Sequence, residues 1–385
     1  EQGFMIDKAA LVSFGESLTG TIAELERAIY EQAGCEFNIN SPKQLGEVLF
    51  DKLMLPAGKK TKTGWSTNAD VLEKLRGKHP IVNMVLDYRM LTKLKSTYAD
   101  GLLKLIDPDG RIRTKFQMTV TATGRLSSTD PNLQNIPIRK ELGSHIREMF
   151  IASKGNVLVD ADYSQIELRL LAHISGDEHM RAAFLSGEDI HTVTASQVFN
   201  TPIDEVTPLQ RSRAKAVNFG IVYGISPWSL AQDIGVTQGE AKAYMDAYLN
   251  KYDGVRDYMK SIVEKAKQDG YVTTIYSRRR DLPELKSSNF NTRSFGERVA
   301  LNMPIQGTAA DIIKLAMVNV YNRLKAEGLK ARLILQVHDE LICECPESEA
   351  QTVADILREE MSGAARLSVP LTVDAKIGHS WAEAH

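Results

Sequence analysis

The chain is poor in cysteine, carries little net charge and has no long apolar runs. Three cysteines occur in 385 residues. Cys343 and Cys345 lie two apart in one apolar stretch and Cys35 is remote, so no metal-type spacing appears; buried free thiols in a reducing compartment are the expectation. No apolar run nears the roughly 20 residues of a membrane span. The opening EQGFMIDKAAL has no basic stretch leading into an apolar one, as an export signal would. A cytoplasmic setting with no membrane partner follows. The chain does not begin with Met, which reads as a fragment or a processed product. A net charge of −2 lacks the basic excess of many nucleic-acid binders. A basic cleft on a near-neutral body remains open, since GKKTKTGW (58–65), RIRTK (111–115) and SRRR (277–280) concentrate positive charge. Taken singly, each also reads as a solvated loop. Internal repeats and low-complexity tracts are absent.

What is present is an ordinary globular composition, 43% hydrophobic and 25% charged, long enough for two or three domains. Residues from about 5 to 105 read as mostly helical. One helix ends at Gly34, another starts with Ser41 as N-cap and Pro42 at its first position, and Asn68 caps a third, with a break at Gly77 and Pro80. From about 106 the texture turns to Thr, Val, Phe and turn residues, which suits strands. GNVLVDADYSQIELRLLAHISGD (155–177) reads as strand, turn and helix. Helical patterning resumes from 178 to 268, followed by a strand at 271–277 and a long helix near 292–327. RLILQVHDELICEC (332–345) reads as a hairpin, followed by a helix near 347–363 and a strand at 371–378. The class is α+β, with an antiparallel sheet and helical appendages.

Three stretches carry chemistry. In VLVDADYSQIELRLL an apolar strand ends in Asp160-Ala161-Asp162, and Ser164 with Glu167 three residues on has the form of a capping box. In the hairpin, His338-Asp339 falls where a two-residue turn belongs, which predicts a polar centre exposed at a cleft. Carboxylates at two adjacent strand ends suit hard divalent cations such as Mg²⁺, and two such ions assist phosphoryl transfer. In RSRAKAVNFGIVYG (211–224), at about 100° per residue, Arg211, Lys215, Phe219 and Tyr223 fall at about 0, 40, 80 and 120° on one helix face. Cations suit a triphosphate and aromatics a base and sugar. Each stretch alone has a plainer reading, as a turn or an amphipathic helix.

Together they resemble the polymerase portion of bacterial family A DNA polymerases, of the DNA polymerase I type. DYSQIELR (162–169), RSRAKAVNFGIVYG and QVHDE (336–340) resemble that family's motifs A, B and C. TATGRLSSTDPNLQNIP (121–137), RVALNMPIQGTAADIIKLAM (298–317) and the closing IGHSWAEA match further family blocks, so the likeness runs almost end to end. The implied fold is a right-hand polymerase with an antiparallel-sheet palm, helical fingers and a helical thumb. Its parts would be a thumb at 1–105 with a basic tip near 58–65, a first palm part at 106–190, fingers at 191–255 and a second palm part at 256–385.

The resemblance implies template-directed addition of deoxynucleotides to a primer 3′-hydroxyl with release of pyrophosphate. Two Mg²⁺ ions would serve, with Mn²⁺ able to substitute, held by Asp162, Asp339 and the carbonyl of Tyr163. Glu340 would support the metals or the primer end, and Lys215 would donate a proton to pyrophosphate. Arg211, Lys215, His191 and Gln165 would meet the triphosphate. Phe219 would stack on the nucleotide, and Glu167 with Tyr223 would close the space of a ribose 2′-hydroxyl. Arg125, Asn132, Gln134, Asn135, Arg298, Asn302, Gln306 and Gln336 would check the duplex minor groove, whose acceptors are nearly independent of sequence. His338 would touch the primer end. Lys59, Lys60 and Lys62 would grip duplex phosphates, and Arg278, Arg279 and Arg280 template phosphates. Gly220 and Gly224 would lend backbone freedom to the motif B helix. The implied partners are primer-template DNA and dNTPs, for a monomer associated with the nucleoid. Gln117-Met118 departs from the Asn-Gln usual there. With no room for nuclease domains upstream, the chain is expected to lack exonuclease activity. The rivals are a phage-type RNA polymerase, against which Glu167 argues, and a non-catalytic DNA-binding module, against which the joint retention of Asp162, Asp339, Lys215 and Arg211 argues.

Overall fold

The computed structural model describes residues 2–56, 60–61, 64–137 and 141–385, without the side chains of 61 and 141–144. The chain divides into two compact units, one of Glu1–Thr114, Asn135–Ala152 and Ser380–Ala382, the other of Lys115–Gln134, Ser153–His379 and Glu383–His385.

The first unit is mainly helical, as its periodicity predicts. Asp7 caps the Lys8–Ala33 helix by accepting from the Ala10 amide at 2.9 Å, and Gly34 ends it with a left-handed φ of 64°. Ser41 and Asn68 cap the next helices as expected. The helices close over Ile29, Leu45, Leu49, Leu72, Ile81 and Val85, all fully buried. A small antiparallel sheet places Phe4–Ile6 between Arg111–Ile112 and Phe150–Ile151. There Phe4, Phe150 and Trp381 pack ring to ring, and the Arg147 guanidinium lies 4.0 Å from the Trp381 ring centroid.

The second unit is built on a four-stranded antiparallel sheet in the order Arg332–Val337, Glu340–Pro346, Asn156–Tyr163, Val373–Gly378. Side chains alternate between faces along a strand. One face sends Val157, Val159, Ala161, Tyr163, Leu341, Cys343 and Cys345 into the core. That core takes Val353, Ile356, Leu357 and Met361 from the Ala350–Ser362 helix, and Ile305, Ile312 and Ala316 from the Phe290–Ala326 helix. The opposite face carries Asp160, Asp162 and Glu340, aligned by cross-strand register. Cys343 and Cys345 are thus buried free thiols as expected, whereas Cys35 is exposed. Among the described residues no helix is long and apolar enough to cross a membrane.

The Pro208–Tyr223 helix begins with a capping box between Thr207 and Gln210, and Pro208 sits at its first position. It ends in a Schellman turn: the Gly224 amide donates to the Ile221 carbonyl at 3.1 Å and the Ile225 amide to the Gly220 carbonyl at 2.8 Å. Gly224 supplies the left-handed φ of 65°. The expectation of backbone freedom fails at Gly220, which is helical and buried. A Cβ there would lie 2.5 Å from Ile225 Cγ2, so the missing side chain makes room for the returning isoleucine. Ile225 is β-branched and cannot swing away cheaply. Gly220→Ala should therefore cost about 1–3 kcal/mol by overpacking, despite alanine's better helix propensity. A melting temperature at or above that of the unchanged protein would contradict this packing.

Candidate active site

The hairpin turns at His338-Asp339 as its spacing predicts, with Val337 paired to Glu340. His338 takes a positive φ of 48°, in keeping with the left-handed residues of two-residue hairpin turns. Its carbonyl accepts from Gln336 Nε2 at 2.7 Å. Glu340 lies opposite Asp162, and the Tyr163 amide donates to the Asp339 carbonyl at 3.3 Å. The turn is thereby pinned beside the strand end that carries Asp162. Tyr163 is anchored from the other face, where its hydroxyl donates to the Met361 carbonyl at 2.7 Å. The expected exposure of the polar centre holds for His338 only. Asp339 is half-buried, and Glu340 is 5% exposed because it already belongs to the strand.

Burial pushes the Asp162 and Asp339 carboxyls above the ordinary range. The charges of Asp339, Glu340 and Asp160 add to the effect at Asp162, and those of Glu167 and Glu340 at Asp339. Asp162 Oδ1 and Glu340 Oε1 are buried with no hydrogen-bond partner among the described residues. Crowded carboxylate oxygens left unsatisfied fit a hard divalent cation. Asp160, read from sequence as structural, joins the same face. His385 Nδ1 lies 3.2 Å from Glu340 Oε2 and 3.6 Å from Asp160 Oδ2. One ligand atom from each of Asp160, Glu340 and His385 falls within 4.8 Å of the others. His385 went unnoticed in the sequence because it follows the recognised closing stretch and its partners are far away along the chain.

The Ser164–Glu167 capping box does not form. The helix starts at Ile166 after Gln165, which has a φ of 56° and no capping bond. The Ser164 amide donates to the Thr372 carbonyl at 2.9 Å. The Glu167 carboxylate is taken up elsewhere: Arg125 Nη2 lies 2.6 Å from Oε1, and the Tyr223 hydroxyl donates to Oε2 at 2.7 Å. With Glu167 only 7% exposed, those partners offset its desolvation. Burial, then the Glu167 charge and hydrogen bond, push the Tyr223 phenol up to about 12.

On the Pro208–Tyr223 helix Arg211, Lys215 and Tyr223 are exposed and Phe219 is half-buried. Arg211 Nε donates to Asp189 Oδ2 at 2.6 Å. Asp189 also caps the Ile190–Phe199 helix, accepting from the His191 and Thr192 amides, each at 3.3 Å. Burial would raise the Asp189 carboxyl, but hydrogen bonds from Arg211 and Thr192 outweigh it and hold it at about 2. Sequence reasoning missed Asp189 as a partner of Arg211, although its place just before IHTVTASQVF marks it as an N-cap. His191 is buried beside Phe219, ring centroids 5.8 Å apart. Burial, opposed by the pull of Asp189 and aided by the charges of Lys215 and Arg211, lowers its imidazole to about 4.

The remaining expected contacts scatter. Gln134 Nε2 donates to Gln336 Oε1 at 3.2 Å, joining two of them. Asn132 is exposed, and its side chain accepts from the Gln134 amide at 3.0 Å. Arg298, Asn302 and Gln306 follow one stripe of the Phe290–Ala326 helix, four residues apart. Asn135 lies in the first unit, where its carbonyl accepts from the Tyr98 hydroxyl at 2.6 Å. Lys60 is exposed, its ammonium 4.9 Å from the Trp65 ring centroid; Lys59 and Lys62 lie outside the described residues. Arg278 is occupied by Asp311 at 2.6 Å, and Arg279 by Asp281 and the Tyr271 ring.

The family profile described as DNA polymerase family A matches residues 8–383. The chain is 56% identical over 384 residues to DNA polymerase I of Bacillus subtilis, covering 99% of this chain and 44% of that protein. It is 52% identical over 382 residues to DNA polymerase I of Caldicellulosiruptor bescii, covering 99% and 45%. The chain thus spans about half the length of these curated relatives. A solved structure of the POL domain of Pol1 from M. smegmatis, in complex with DNA primer-template and dNTP, is similar at a TM-score of 0.94 and 48% identity, covering 99% of this chain and 68% of that one.

The carboxylate cluster makes a prediction about stability. The raised Asp162 carboxyl favours the fold below its unfolded value of 3.8, and that contribution is lost as pH rises through the higher folded value. At pH 8 without divalent ions, Asp162→Asn should melt at a higher temperature than the unchanged protein. Saturating Mg²⁺ should narrow the gap by stabilising the latter. A lower melting temperature for Asp162→Asn, or no response to Mg²⁺, would count against the cluster as a cation site.

Proposed function

Because the chain belongs to DNA polymerase family A, we propose that it is a template-directed DNA polymerase, which extends a primer 3′-hydroxyl with dNTPs and releases pyrophosphate. One observation carries this reading: sheet register brings Asp162 beside the Asp339 turn, and among the described residues nothing hydrogen-bonds the buried Asp162 Oδ1 and Glu340 Oε1. Asp162, Asp339 and the Tyr163 carbonyl would hold two Mg²⁺ ions, with Mn²⁺ able to substitute and Glu340 in support. The ions would supply a lowered pKa for the attacking hydroxyl and charge neutralisation on the triphosphate.

The chain's own residues do the rest. Arg211 and Lys215 bind the phosphates from one exposed helix face. Arg211 must then leave Asp189 for the incoming triphosphate, a like-for-like exchange of anionic partners. Lys215 donates a proton to pyrophosphate. Glu167, held by Arg125 and Tyr223, closes the space of a 2′-hydroxyl, and Phe219 stacks on the nucleotide. The reading extends to a palm at 106–190 and 256–385, fingers at 191–255 and a thumb at 1–105. It also implies a monomer at chromosomal DNA, with Gln134 and Gln336 among the minor-groove contacts.

Primer extension with Mg²⁺ and dNTPs tests the proposal. The unchanged protein should extend, and Asp162→Ala and Asp339→Ala should each fall by at least about a thousandfold, on the order of 4 kcal/mol of transition-state stabilisation. No extension by the unchanged protein, or full extension by both variants, would sink it. Discrimination against dideoxynucleotides should weaken in Phe219→Tyr, and equal use of them before and after the change would contradict the role given to Phe219.

A further inference from the structure

His191 and Thr194 lie three apart on the Ile190–Phe199 helix, and both meet Asn218 of the Pro208–Tyr223 helix. Asn218 is fully buried, at 0% exposure. Its Nδ2 lies 3.1 Å from His191 Nδ1 and 3.1 Å from Thr194 Oγ1. Thr194 Oγ1 in turn lies 3.3 Å from the hydroxyl of Tyr252, itself fully buried. Among the described residues nothing bonds to His191 Nε2, and that atom is not sealed off as a buried orphan. Asn218 shares its helix face with two cations, since residues 211, 215 and 218 are four and three apart.

A neutral imidazole carries one hydrogen, and the partner of one nitrogen decides which nitrogen bears it. A carboxamide N–H aimed at Nδ1 needs a lone pair there, which leaves the hydrogen on Nε2. We propose that Asn218 is a positioning residue that holds His191 as the Nε2–H tautomer, so that the imidazole offers a neutral hydrogen-bond donor to a phosphate oxygen of the incoming nucleotide. The inference rests on the reading that His191 borders the triphosphate path. The opposite tautomer would turn an Nε2 lone pair toward an anionic oxygen, replacing an attraction with a repulsion. The depressed imidazole pKa agrees, because a donor of fixed orientation then persists across the neutral range. Thr194, which also donates from Oγ1 to Asn218 Oδ1 at 3.3 Å and is backed by the Tyr252 hydroxyl, holds the carboxamide in place.

Nitrogen-15 NMR of histidine-labelled free protein at pH 7 tests the tautomer without any substrate, with His191 assigned by loss of its signals in His191→Gln. The unchanged protein should show a protonated Nε2 and a bare Nδ1. Asn218→Asp should move a hydrogen onto Nδ1, since a carboxylate can only accept there, and Asn218→Leu should give a mixture. In primer extension Asn218→Leu should raise KM for dNTP by about tenfold with kcat within about twofold, the signature of lost ground-state binding. An Nδ1–H tautomer in the unchanged protein would overturn the inference. So would unaltered KM in both variants once their spectra had changed. Should Asn218→Leu melt below the assay temperature, Asn218→Asp and the spectrum of the unchanged protein decide. Absence of extension by the unchanged protein would instead defeat the polymerase reading, and the spectrum would still judge the tautomer.

Discussion

The constraint on which the second unit depends is repulsion among carboxylates held close by backbone register. Asp160, Asp162 and Glu340 lie on one face of one sheet, and Asp339 is tied to it through the Tyr163 amide. Each is partly or wholly withdrawn from water, where like charges interact most strongly. The charges of His385 at Asp162 and of Arg125 at Asp339 offset only part of that cost, and both carboxyls stay raised. The opposite face of the same strands meets it by sending Val159, Ala161, Leu341 and Cys343 into a dry core. A one-residue slip of register would drive the carboxylates into that core, so the apolar face and the acidic face enforce each other.

The Pro208–Tyr223 helix, of opposite sign, reaches the Glu167 carboxylate through Tyr223, and two arginines are matched before any ligand arrives. Arg211 is held by Asp189 and Arg125 by Glu167, while Lys215 remains exposed. The first two pairs differ in kind. Arg211–Asp189 is solvent-screened, and exchange for another anion costs little. Glu167 is buried, so removing Arg125 would strand a carboxylate that, among the described residues, only Tyr223 then serves. The screened pair can exchange partners readily, and the buried one fixes its geometry.

What was legible in the sequence is what local pattern controls. The hairpin and its turn, the caps at Ser41 and Asn68, and the cationic-aromatic stripe of 211–223 all follow from residues a few positions apart. The failures share a cause. Ser164 and Glu167 have the spacing of a capping box, yet the Ser164 amide goes to Thr372 and Glu167 to Arg125 and Tyr223. Gly220 suggests freedom, but Ile225 fills its space. His385 drew no notice because its neighbour Asp160 is more than two hundred positions away. In each case a tertiary partner outcompeted the local option, which short-range propensity cannot register.

The near-zero net charge was a poor guide for the same reason. The function proposed above calls for both signs in one chain, and a whole-chain sum erases them. The sheet concentrates negative charge at 160–162 and 339–340, and the helix places positive charge at 211 and 215. The neutral His191 lies between Asp189 and those cations in its electrostatic surroundings. Separation of sign, rather than excess of one sign, is the electrostatic property that this fold maintains.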